Sequence, residues 1–236
     1  MSLLAPFTKK SKLNATIKQT EAARKSDGNT QAGLFKAAYQ AYAEIIQDDA
    51  LRAETLYHWG FALFHQASTQ SGEAAASLYQ DAIEKFAFCM LINPNYLAAA
   101  VNSGVAYMDL ARLNQAKADD PLYLSAKKQF EIANSIQAGT ASYNLACIYG
   151  LQGKVDECLA ALENARIKVT LPAINDILND PDMSTVKNQA WFTAFIDSLN
   201  QDIVDAKTKA EADVEAKIIA DEQKKLKKVS KDDNYY

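Results

Sequence analysis

"YQDAIEKFAFCM", residues 79–90, sets out a small residue, an aromatic four positions later and a third packing residue three after that: Ala82, Phe86 and Cys89. The same order stands 44 residues earlier in "FKAAYQAYAEII" (35–46) as Ala38, Tyr42 and Ile45. It returns 44 residues later in "YLSAKKQFEIAN" (123–134) as Ala126, Phe130 and Ala133. Spacings of four and three bring each set onto one face of a helix. A second element keeps step, since Gly60 in "LYHWGFAL" (56–63) and Gly104 in "AVNSGVAY" (100–107) are also 44 residues apart. A small residue on one helix facing a small-plus-aromatic pair on the next lets two antiparallel helices approach closely and interlock with the following pair.

Composition agrees with an array of helices. The chain has 236 residues, 49% of them apolar, with only eight glycines and five prolines. A β protein of this length would need many more turn residues, whereas Ala, Leu, Glu, Lys and Gln favour helix. The apolar content suffices for a core in one elongated domain or two small ones. A net charge of −4 leaves no electrostatic footprint for nucleic acid. No run of about eighteen apolar residues offers a membrane span. In "MSLLAPFTKKSK" (1–12) the lysines follow a very short apolar stretch, the reverse of a secretory signal. Three cysteines, an odd number, do not make a disulfide framework, so the expected location is the cytoplasm or another reducing intracellular compartment.

The constellation resembles the tetratricopeptide repeat (TPR) family, whose unit is about 34 residues of helix–turn–helix. In the unit closest to that pattern, Tyr143, Asn144, Leu145, Ala146 and Tyr149 lie on the first helix, Gly153 in the turn, and Cys158, Leu162 and Ala165 on the second. The two preceding units are longer by about ten residues, which lengthens their helices and the turn between. Pro94 in "INPNY" matches the proline that ends such a unit. The resemblance covers roughly residues 31–168. It implies an all-α, right-handed TPR-like solenoid of antiparallel helix pairs. An N-terminal helix within 1–30 is a candidate first half of a divergent repeat. Residues 169–200 read as a capping segment, with Trp191, Phe192, Phe195, Ile196 and Leu199 as its packing stripe. Residues 201–236 read as a charged, helical or partly disordered tail.

Within this register Cys158 stands where Ala38, Ala82 and Ala126 stand, and Cys89 where Ala133 and Ala165 stand, so both read as small packing residues. Cys147 lies on the inner face of its helix, where it either packs or meets a ligand. The two histidines, His58 and His65, have no metal-ligand spacing with any cysteine. The chain contains no GxGxxG, GxxxxGK, GxSxG or HExxH. Asp120-Pro121 and Asp180-Pro181 read as helix starts, with Asp capping and Pro in the first turn. The expectation is a protein that is not an enzyme and takes no cofactor or metal.

By the same resemblance, the first helix of each pair faces a concave groove. Tyr57, His58, Phe61 and Phe64 are the groove candidates of the first full unit, Val101, Asn102 and Val105 of the second, and Tyr143, Asn144 and Cys147 of the third. Asn102 and Asn144 could hydrogen-bond an extended backbone, and the aromatic and aliphatic residues could contact side chains. For Phe61, Val105 and Cys147, packing against neighbouring helices is an equal reading. TPR co-chaperones hold acidic tails with a Lys/Arg clamp, and here the matching positions are Tyr57, Phe61, Val101, Val105, Tyr143 and Cys147. The ligand should therefore be an apolar or amphipathic peptide segment.

The main functional expectation is a scaffold or adaptor binding such a segment. The alternative is an import receptor or secretion chaperone binding targeting segments. The long units, with "YHWGFALFHQ" (57–66) and "YQDAIEKFAFCMLINP" (79–94), also resemble the plant-type receptor of the mitochondrial outer membrane, which binds amphipathic presequences. The tail reads first as a solvated helix. It is also a candidate for a partner helix, for weak self-association, or for a basic contact through Lys224, Lys225, Lys227 and Lys228.

Overall fold

The computed structural model describes residues 5–232, with side chains from 9 to 217 except at positions 49, 215 and 216. The tail lysines named above lie outside the described side chains. Every regular element among the described residues is helical, as the glycine- and proline-poor composition predicts. The chain divides into two compact units, Met1–Pro172 and Ala173–Tyr236.

The first unit is a series of helix pairs: α1 (Ala5–Arg24) with α2 (Gly28–Ile45), α3 (Arg52–Ala67) with α4 (Gly72–Ile92), α5 (Leu97–Leu113) with α6 (Pro121–Ile136), and α7 (Ser142–Leu151) with α8 (Val155–Ile167). The repeated sets fall where the sequence places them. Ala38, Tyr42, Ala82, Phe86, Cys89, Ala126, Phe130, Ala133, Cys158, Leu162 and Ala165 are all fully buried. Two of the aromatics meet a glycine partner: the Phe86 ring fills the space beside Gly60, and the Phe130 ring the space beside Gly104. Leu56, Leu63, Ala82, Phe86, Cys89 and Ala99 form one core cluster, in which α3, α4 and α5 interlock. Ala67, Ala75, Tyr79, Ile83, Ala106 and Leu110 form the next. Adjacent pairs thus share side chains, which is how a stacked array buries a continuous core.

Local chemistry fixes the helix ends. Asp120 accepts a hydrogen bond from the Leu122 amide at 2.8 Å, and Pro121 occupies the first turn of α6, where a missing N–H costs nothing. At the other end, α5, α7 and α8 close with the same turn. Its left-handed residue is Gln115, Gly153 and Val169 in turn, and the following amide reaches back to the carbonyls of Ala111, Tyr149 and Ala165 at 2.9, 2.9 and 2.8 Å. This Schellman arrangement satisfies carbonyls that the helix itself leaves open. Gly153 suits it; Val169, β-branched at φ 57°, does not.

α1 belongs to the array although its sequence is not conspicuously amphipathic. Its inner seam is Leu13, Thr16, Ile17, Thr20 and Ala23, at helical spacing. Thr16 and Thr20 are each 3% exposed. Their hydroxyls bond the carbonyls of Lys12 and Thr16, so two buried polar groups are satisfied by α1 itself. Thr20 also meets the Tyr42 hydroxyl at 3.0 Å. At the edge, Lys9 pairs with Asp48, Lys10 with Glu54 and Lys12 with Glu44.

The second unit contains α9 (Ile174–Asn179), a 3-10 turn (Pro181–Met183) and α10 (Ala190–Asp232). Asp180 accepts from the Asp182 amide at 2.9 Å and opens the 3-10 turn, not an α-helix. The aromatic segment and the charged tail, expected as separate pieces, form one uninterrupted helix. Its character changes along its length: Phe192, Phe195, Ile196 and Leu199 are buried, whereas residues 201–214 are exposed, Ile203, Val204 and Val214 included.

Candidate functional site

The first helices of the pairs carry the residues in question, and α3 and α5 are directly coupled. Asn102 on α5 donates its side-chain amide to the Tyr57 hydroxyl on α3 at 3.2 Å. Around that bond the Tyr57 ring lies 4.9 Å from Tyr96, 5.0 Å from His58, 6.0 Å from Phe86 and 6.1 Å from Phe61, centroid to centroid. Phe61 stacks edge-on against His65 at 4.3 Å, and the Arg24 guanidinium sits 5.2 Å from its centroid. The helical register explains this grouping: Tyr57, Phe61 and His65, four residues apart, line one face of α3.

Between α1, α2 and α3 lies a cavity of about 260 Å³ lined by Tyr57, His58 and Phe61 together with Ile17, Thr20, Glu21, Arg24 and Tyr42. Its walls are mainly apolar and aromatic, with one carboxylate and one guanidinium near the rim. Such a cavity accepts an apolar side chain and can grade it by the polar group that follows. Burial lowers the pKa of His65 to about 4, helped by the charge of Arg24. The His58 pKa is lowered too, first by burial and then by Lys10, against the opposing pull of Glu54. Both imidazoles are therefore neutral at physiological pH. Burial raises the Tyr42 hydroxyl to about 12, and it also raises Tyr57, with the Asn102 hydrogen bond acting the other way.

The expected groove residues do not all share this face. Tyr57, His58, Phe61 and Asn102 come together. Val101 and Val105 are half-buried on α5, and Tyr143 and Asn144 are half-buried at the equivalent positions of α7. Phe64 reaches both ways: its ring lies 5.3 Å from His65 and 5.8 Å from Tyr79 of α4, and it packs against two core clusters. Cys147 is 3% exposed, which removes it from any open surface. Asn102, expected to meet a ligand backbone, spends an amide proton on the strut to Tyr57. Cys89 and Cys158 are fully buried with raised thiol pKa values, to about 12 and about 11, and the Cys158 thiol donates to the Ala146 carbonyl at 3.2 Å.

Sequence reading missed the contribution of α1. Ile17, Thr20, Glu21 and Arg24 wall the cavity, yet α1 lies before the region in which the repeat pattern is visible. Counting its threonines as small residues would have revealed the seam.

A family model described as "Plant specific mitochondrial import receptor subunit TOM20" matches residues 29–189, more than half of the chain. No curated protein matches it. Of the two functional expectations, the match supports the import receptor over the general scaffold. The match corrects the expected cytoplasmic or other reducing intracellular location, because the family is one of mitochondrial import receptor subunits and points to the mitochondrial outer membrane surface. No described helix is long and apolar enough to cross a membrane. A helical array whose first helices carry a coupled aromatic face, matched over this span, belongs to the plant-specific mitochondrial import receptor subunit TOM20 family.

Proposed function

We propose that the first unit captures the apolar or amphipathic targeting segment of a protein to be imported, as a module of tetratricopeptide type. The observation that carries the reading is the Tyr57–Asn102 bond, which fixes an aromatic surface across two successive repeats beside an apolar cavity. Preorganised aromatic surface of this kind supplies binding energy with little ordering cost. The two neutral histidines suit it, since they add polar edges without repelling a basic segment. The activity is binding without catalysis, and nucleic acid is not a ligand. Weak self-association through α10 would be a separate property, read by sedimentation.

Fluorescence anisotropy with a labelled synthetic amphipathic targeting peptide tests this. The Tyr57→Ala/Tyr143→Ala variant should lose binding, because anchoring aromatics commonly contribute about 2 kcal/mol or more each. Asn102→Ala should weaken it by a smaller factor through loss of the strut. Undiminished binding by both variants would put the receptor surface elsewhere.

A further inference from the structure

On a different side of α3 from the cavity, a second apolar groove of about 380 Å³ runs between α3 and α4 and the end of α2. Leu56 and Trp59 form its floor, and Phe88, Leu91 and Ile92 its wall. Those three wall residues are 52%, 75% and 48% exposed, and they stand three and four residues apart along α4. The repeat itself shows that packing does not require a leucine at position 91. Forty-four residues earlier the same positions hold Glu44, Gln47 and Asp48, and forty-four later Ile132, Ser135 and Ile136. A solvent-facing leucine at position 91 thus occurs only in the unit where the groove is.

The charges on this groove differ from those on the α1–α3 cavity. Its lining carries two cations and no carboxylate: Arg52, whose Nε donates to the Ile46 carbonyl at 3.3 Å, and Lys85, whose ammonium lies 5.2 Å above the Trp59 ring. Glu44 of α2 and Asp48 just beyond its end pair with Lys12 and Lys9 of α1, and Asp81 stands one turn before Lys85 on α4, outside the lining. On α4, Glu84 faces solvent one turn before Phe88, outside the lining.

We infer that this groove docks an amphipathic protein segment whose apolar side chains lie against Leu56, Trp59 and Leu91 and whose flanking carboxylates meet Lys85. Charge complementarity selects the sign of the partner, as apolar contact alone would not. The concavity favours a segment over a bilayer, because a flat surface does not reach the floor residues Leu56 and Trp59. The site is independent of the targeting-segment reading. A basic segment suited to the other face is repelled here, so one chain can hold an import client and an acidic partner on separate faces.

The test uses the full chain and two synthetic amphipathic peptides with the same leucine face, one with glutamates and one with lysines on the polar face. The glutamate peptide should bind more tightly by at least about tenfold. Leu91→Glu should weaken it to a similar degree, and the milder Leu91→Gln serves if the first variant alters the thermal melt. Lys85→Glu should narrow or reverse the preference between peptides, while Tyr57→Ala/Tyr143→Ala should leave glutamate-peptide binding intact. Equal binding of both peptides, or glutamate-peptide binding unaffected by either Leu91 change, overturns the inference. So does Leu91-dependent sedimentation with phosphatidylcholine–phosphatidylglycerol vesicles without peptide binding, or Leu91-dependent dimerisation, which would make the occupant a membrane or a second copy.

Discussion

The ring of Phe130 occupies the place that a β-carbon on Gly104 would need, 2.4 Å from its Cε1, and Phe86 stands to Gly60 in the same way at 2.9 Å. The two contacts are one motif used twice, with the first slightly tighter. Gly104→Ala should therefore destabilise the protein by about 1–3 kcal/mol through overpacking, although alanine gains about 1 kcal/mol in helix propensity. Gly60→Ala should cost less. Urea unfolding measures both, and adding Phe130→Leu to Gly104→Ala should recover part of the loss. An additive double variant would dissociate the glycine from the ring.

Val169 gives the opposite sign. It is 90% exposed and holds a left-handed conformation at φ 57° to close α8. Val169→Gly should stabilise by about 1 kcal/mol, since an L side chain pays roughly that to enter this region. A chain of this size would then melt about 2–4 °C higher. A lower melting temperature would mean that the turn relaxes in solution.

Acid should weaken the fold through the histidines. Folded His65 keeps its imidazole neutral until about pH 4, whereas the unfolded side chain takes its proton near 6.5. Between those values the unfolded state binds more protons, so stability falls as pH drops through the window and is unaffected above it. His58 acts in the same direction. The lowered pKa of Asp48 matters only below its ordinary 3.8. Discounted for partial exposure of the His65 ring, the melting temperature should fall by at least about 2 °C from pH 7.5 to 4.5. The His65→Gln variant should show a smaller decline over the same range.

The thiols of Cys89 and Cys158 should react with maleimide only when the array opens. Both are fully buried, and their raised pKa values leave little thiolate at neutral pH. Labelling measured by mass spectrometry should track urea unfolding, and fast modification of the native protein would contradict the packing described.

Much of the array was legible because its buried positions differ from their neighbours in both size and polarity. Ala82 and Phe86 could be recognised from spacing alone, as could the glycines opposite the aromatics. For α1 a helix was expected within 1–30 but its inner face was not, because it buries Thr16 and Thr20, whose hydroxyls are satisfied by the helix itself and leave no apolar stripe to read. The position of Phe64 in the repeat did not reveal its second contact, to Tyr79 of α4, beside the one to His65. The Arg52–Lys85 groove was invisible for another reason: its parts come from α2, α3 and α4, and only the fold assembles them.

Helix length gives the candidate binding side a direction. α3 and α5 have 16 and 17 residues, while α7 has 10. At 1.5 Å per residue these span roughly 24, 26 and 15 Å. The first helices of the pairs thus shorten from α3 and α5 to α7. If these helices form the binding side, as proposed, a helical guest of four turns would find its full length along α3 or α5 and not along α7. Under that proposal, the extra residues in the first two units would set the length of helix that the binding side can hold.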